Sequence, residues 1–142
     1  MNASARDETQ PVSVARWSSR VLGIVFILLG ILGLTSGGTI MDVATVNALH
    51  SALHLVTGVG LLAAGVSGEG PARAASWLAA GLYGLLGLLG LAGVAAVTSA
   101  LRLDAALSWL YVILAIVWIA VAGVSQTLAH GRYRARASRR PA

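Results

Sequence analysis

Neither cysteine nor lysine occurs among the 142 residues, and aromatic side chains make up only 6%. Without thiols there are no disulfides, thiolate zinc sites, iron–sulfur clusters or thioether lipid anchors, so any metal needs nitrogen or oxygen ligands. Charge is scarce too: Asp, Glu, Lys and Arg together are 11% of the chain, against about a quarter in soluble domains. No carboxylate falls inside the long apolar runs, which weighs against a path for protons or small solutes.

What is abundant is apolar, at 57% of residues. Four stretches, 17–36, 46–66, 75–97 and 106–129, each approach the ~20 residues that cross ~30 Å of hydrocarbon at 1.5 Å per residue. Lipid offers no water to backbone groups, so each is expected to be helical. Short connections place successive helices antiparallel, which predicts an all-α membrane protein: one domain, a four-helix up-down bundle over 17–129. Residues 1–16 read as a flexible polar tail and 130–142 as a basic one. A cleaved leader is the competing reading of the first span, with Thr35 to Gly38 as the small-residue site; the long polar segment before it argues against that.

Arginine sets the orientation. Arg6, Arg16, Arg20, Arg73, Arg132, Arg134, Arg136, Arg139 and Arg140 fall on one side of such a bundle and Arg102 alone on the other. The positive-inside rule then puts both termini and the 67–74 loop in the cytoplasm, and the 37–45 and 98–104 loops outside. Trp17, Trp77 and Tyr133 would anchor the inner boundary, Trp109 and Tyr111 the outer one. The expected location is the inner (plasma) membrane. The expected partners are the bilayer, anionic headgroups under the arginine tail, and a second copy or another membrane protein; a basic run alone does not indicate nucleic acid.

Glycine punctuates the spans. Gly81, Gly84, Gly87, Gly90 and Gly93 recur every third residue, and Gly30 and Gly33 mark the first span, so these seven are expected to form grooves for close helix packing. An offset of 57 residues sets Phe26 on Tyr83, Gly30 on Gly87, Gly33 on Gly90, Asn47 on Asp104, Ser51 on Ser108 and His54 on Tyr111. Such an offset would relate two helical hairpins by an axis along the membrane normal.

The chemistry-bearing residues are few. At about 100° per residue, Asn47, His50, His54 and Thr57 share one stripe roughly 80° wide on the second helix. Three readings compete for it. The imidazoles could tie helices together by hydrogen bonds; they could hold a metal or redox cofactor, with Asp42 or Asp104 completing the shell; or they could line a path for protons or small solutes. His130 lies at the far end of the fourth helix, and Ser108, Ser125 and Gln126 sit where they cap or bond backbone. No nucleophile, base and orienting acid can be assembled, so the expectation is no enzyme and no cofactor. A non-enzymatic structural or accessory subunit is the first reading. A metal- or cofactor-binding redox accessory using His50 and His54, with Asp104 as a weaker candidate ligand, is the alternative.

The chain resembles small bacterial four-helix membrane proteins grouped as a domain of unknown function. The likeness rests on Gly23, Phe26, Gly30 and Gly33 in the first helix, the Asn47-x-x-His50-x-x-x-His54 element with Gly58, Tyr83 to Leu91 in the third helix, and Asp104. It spans roughly residues 20–128 and implies a fold and a location without an activity. Its members tend to carry a further His four residues after that Asp, and here Ser108 stands in its place. The DoxX-like four-helix proteins share the outline.

Overall fold

Ser13 opens the first helix by accepting the Arg16 backbone N–H at 3.2 Å, the side-chain cap that a helix start favours. The computed structural model describes residues 13–36, 39–40 and 44–137. α1 (Val14–Thr35) leads through a short antiparallel ribbon, β1 (Thr39–Ile40) with β2 (Ala44–Thr45), into α2 (Ala48–Ser67). α3 (Glu69–Leu91), the short α4 (Ala95–Leu101) and the long α5 (Ala105–Ala137) follow. α1, α2, α3 and the 105–128 part of α5 are each long and apolar enough to cross a membrane, giving a multi-pass membrane protein. Their outer faces fit lipid: Val56 is 73% exposed, Leu78 75% and Ile116 60%, while serines, alanines and a few large aromatic side chains fill the inside.

The boundaries depart from the sequence reading in instructive places. The first helix takes in residues 14–16 of the expected tail; residues 1–12, with Arg6, lie outside the described residues, as does Asp42. The expected 67–74 loop shrinks to Gly68, because Pro71 falls in the first turn of α3, where a missing N–H costs nothing. Gly68 makes the reversal with φ +150° and ψ −179°, a conformation essentially reserved for glycine. The third span ends at Leu91 rather than Val97. Gly93 N–H bonds to Gly90 O and Val94 N–H to Leu89 O, both at 3.0 Å, a Schellman stop with Gly93 at φ +69°. The residues beyond it form α4, which takes in the last three residues of the expected span and the first four of the expected 98–104 loop. At the other end α5 continues to Ala137, so Arg132, Arg134 and Arg136 belong to a helix; Arg139 and Arg140 lie outside the described residues.

α1 packs on α2 and α3 on α5, and contacts of α3 with α1 and α2 and of α1 with α5 join the two hairpins. Close backbone approach explains the glycines that matter. A Cβ on Gly30 would lie 2.8 Å from Ser51 O and 2.9 Å from Leu55 N; one on Gly87 would lie 2.9 Å from both Ser108 O and Val112 N. Those partners are themselves 57 residues apart, so the two hairpins use the same contact. Gly33 likewise faces Ser51, and Gly90 faces Ser108. Gly23 against Gly58, and Gly65 against the Arg16 carbonyl, extend the seam in the first hairpin. Buried Ala80, Ala115 and Ala122 hold the equivalent places in the second.

The expected row of five glycines on α3 is therefore not one groove. Gly87 and Gly90 are in it and Gly84 makes ordinary contact with Ala115 at 3.4 Å. Gly81 has nothing within 4 Å of a Cβ, and Gly93 is the helix stop. A repeat of three drifts by about 60° per step around a helix, so its ends turn away from the partner.

Candidate functional site

α2 starts beneath α4, and its first residues tie the two together. Asn47 caps α2 by accepting the His50 backbone N–H at 2.9 Å, and its Nδ2 donates to Ala100 O at 2.7 Å. His50 Nδ1 lies 2.9 Å from Leu101 O. A carbonyl only accepts, so Nδ1 carries the proton and, in the neutral ring, Nε2 carries the lone pair. Ala100 and Leu101 end α4, where carbonyls have no partner within the helix. The two α2 side chains supply those partners.

The inward nitrogen of His50 meets α5: Tyr111 Oη lies 2.8 Å from His50 Nε2 and donates to it. His50 is 1% exposed and Tyr111 2%. One turn on, His54 packs its ring 4.8 Å from that of His50 and edge-on to Phe26 at 5.2 Å. Tyr83 lies parallel to it at 6.4 Å, and Tyr111 is edge-on at the same distance. Its Nδ1 is buried with no hydrogen-bond partner. Thr57 accepts from Tyr83 Oη at 3.2 Å. A polar and aromatic cluster thus draws Phe26 from α1, His50, His54 and Thr57 from α2, Tyr83 from α3 and Tyr111 from α5. Trp118, fully buried, lies two turns further along α5, and its Nε1 also lacks a partner.

The structure reassigns several sequence candidates. His50, His54 and Thr57 do face one interior, but Asn47 is a helix cap. Asp104, proposed as a third ligand, caps α5: its Oδ1 accepts the Leu107 N–H at 2.8 Å. Ser108, where the resemblance suggests an imidazole, donates to Asp104 O at 2.7 Å and fills the space beside Gly90. Among the described residues, no three of His, Asp and Glu gather as a metal-binding group. Tyr111, read as an interfacial anchor, is instead at the centre, whereas Trp109, 56% exposed, stays on the surface. The sequence signal for Tyr83 and Tyr111 is the 57-residue offset, which places them opposite Phe26 and His54.

A second polar cluster holds the far end. The Glu69 carboxylate accepts hydrogen bonds from Ser13 Oγ at the start of α1 and from Ser125 Oγ on α5. Arg16 and Arg20 each donate Nε to Gly65 O, at 3.3 and 3.0 Å. One carboxylate and one carbonyl thus fasten all four spans near the ends of α1, α2 and α3. Glu69 escapes a reading that assigns it to a loop.

No curated protein and no solved structure matches the chain. A family model does, over residues 16–124, which takes in most of the first and fourth spans, the whole of the second and third, the Asn47 and Asp104 caps and the aromatic cluster. With that match across most of its length, the chain belongs to the family defined by the domain of unknown function DUF4383.

Proposed function

We propose that the chain is a non-enzymatic structural or accessory subunit of the inner membrane, with both termini in the cytoplasm. What supports this is how the polar groups at depth are used. The hydroxyls of Ser51, Ser76 and Ser108 donate to carbonyls four residues back, at 3.0, 2.9 and 2.7 Å. Asn47 and His50 donate to α4, Tyr83 to Thr57, and Tyr111 to His50. Side chains engaged in this way fix helices: these serine hydroxyls bond carbonyls rather than a base, and Tyr111, whose hydroxyl does meet an imidazole, is 2% exposed between α2 and α5. The lipid-facing rows of α1, α2, α3 and α5 offer surface to the bilayer and to a membrane partner or second copy. The arginine-rich end of α5 rests on anionic headgroups, each arginine contributing about 1 kcal/mol; nucleic acid is no part of this reading.

The test is complementation of a deletion strain by Ser51→Ala, Ser108→Ala and Asp104→Asn, with protein level and melting temperature measured in parallel. Complementation that follows the amount of folded protein is expected. A variant that accumulates and melts like the parent but fails to complement would count against the reading. A reporter fused after Arg140 is expected to report from the cytoplasm, and an external signal overturns the orientation.

A further inference from the structure

We propose that His50, His54 and Tyr111 form a binding site for one borderline divalent cation of the copper(II) or zinc(II) class. The observation that prompts it is His54, nine-tenths buried, with an Nδ1 that has no hydrogen-bond partner inside the cluster. Trp118 Nε1 is also unpartnered, but an indole N–H only donates and cannot ligate.

Geometry supplies the other ligands. His50 and His54 are one helical turn apart on the same face, and their ring centroids are 4.8 Å apart. Two imidazoles sharing one ion through bonds of about 2.0–2.1 Å have centroids roughly 5 Å apart. His50 is already oriented for such a role: its Nδ1–H is held by Leu101 O at 2.9 Å, which leaves the Nε2 lone pair facing Tyr111. Histidine ligands of metals characteristically carry this kind of backbone partner on the other nitrogen. Tyr111 Oη, 2.8 Å from that lone pair, is placed to be the third ligand.

On binding, the O–H bond of Tyr111 breaks, its proton leaves to solvent and an oxygen–metal bond forms. The phenolate offsets one of the ion's two charges, which lowers the penalty of placing a cation among apolar helices. A donor set of two imidazoles and a phenolate without carboxylates suits copper or zinc rather than magnesium or calcium. The site rests on different residues from the serine and Asp104 variants above, so either reading can fail alone. A bound ion would replace the Tyr111–His50 hydrogen bond with a metal bridge from α2 to α5 and leave the hydrogen bonds from Asn47 and His50 to α4 in place.

The experiment uses the full chain in detergent, stripped with chelator, given one equivalent of copper(II) chloride and then desalted. The expected result is one copper retained per chain with a visible phenolate-to-copper charge-transfer band. Tyr111→Phe should abolish the band, and His54→Gln should weaken copper binding by more than about tenfold. Because a tyrosine variant could fold poorly, zinc chloride provides a second reading: it should raise the melting temperature of the parent and leave that of His54→Gln unmoved. Copper retained equally by His50→Gln and His54→Gln means an adventitious ion only and overturns the proposal. So do a charge-transfer band that survives Tyr111→Phe, or no retention and no zinc-induced shift in the parent.

Discussion

Ser51 and Ser108 occupy the same place in the two halves of the chain. Each donates its hydroxyl to the carbonyl of the residue that caps its helix, Asn47 at 3.0 Å and Asp104 at 2.7 Å. Each also lies where a Cβ on the opposing glycine, Gly33 or Gly90, would have to go. The equivalence runs on through Ala15 and Ala72, Ser19 and Ser76, and Leu61 and Trp118, all buried and all 57 residues apart. The halves differ in their connections, a β ribbon in the first and α4 in the second. They differ again at the centre, where the first contributes His50 and His54 and the second Leu107 and Tyr111. The two hairpins share a packing seam and differ in the polar cluster where they meet.

The seam makes an asymmetric prediction about glycine. Gly33→Ala and Gly90→Ala should each destabilise by about 1–3 kcal/mol, the usual cost of overpacking a tight contact. Gly81→Ala, with open space around its Cβ, should be neutral or stabilising. Pairing Gly33→Ala with Ser51→Ala should recover part of the loss, since the added methyl then meets less bulk; thermal melts in detergent read all four. Equal losses at Gly81 and Gly90 would remove the seam as the explanation.

The two helix caps should behave differently under the same substitution. Asp104→Ala removes one cap bond and is expected to cost about 0.5–2 kcal/mol. Asn47→Ala removes a cap bond and also the Nδ2 donor to Ala100 O, so it should cost more than its counterpart. Asp104→Asn keeps the accepting oxygen and should change stability little. Hydrogen exchange at α4 should rise in Asn47→Ala and stay unchanged in Asp104→Asn.

How far the sequence discloses this arrangement depends on whether the governing interaction is local. The spans are legible because apolar length is read residue by residue. The caps Asn47 and Asp104 obey an equally local rule, a side chain bonding three residues ahead, yet in the sequence they read as part of a polar stripe and as a candidate ligand. The Schellman stop is local too, but Gly93 is hidden in the glycine row that precedes it. The role of Pro71 turns on one position: in a first turn it continues a helix, and later it would break one. Tyr83, Tyr111 and Glu69 are legible only through partners 26, 61 and 56 residues away, and no local rule assigns these.

Gly68 carries the reversal between α2 and α3 alone. At φ +150° and ψ −179°, any residue with a Cβ is strained, so Gly68→Ala should cost about 1–3 kcal/mol even though the nearest atom to a Cβ is 3.9 Å away. Inserting two glycines after Gly68 should relieve that strain in the alanine variant. A Gly68→Ala protein that melts like the parent would show that the turn adjusts freely.

Glu69 is expected to be the most sensitive single position at its end of the bundle. Its carboxylate accepts from Ser13 on α1 and from Ser125 on α5, so Glu69→Ala leaves two hydroxyls without their acceptor and should destabilise by about 1–3 kcal/mol. Glu69→Gln keeps one accepting oxygen and should lose less. Removing the donors as well, by Ser13→Ala and Ser125→Ala in the Glu69→Ala background, deletes both sides of the interaction and should cost less than the sum of the separate losses. That shortfall, measured as a coupling in a double-mutant cycle of detergent melts, is the signature of one carboxylate holding α1 and α5 together through α3; additive losses would mean that the three residues act independently.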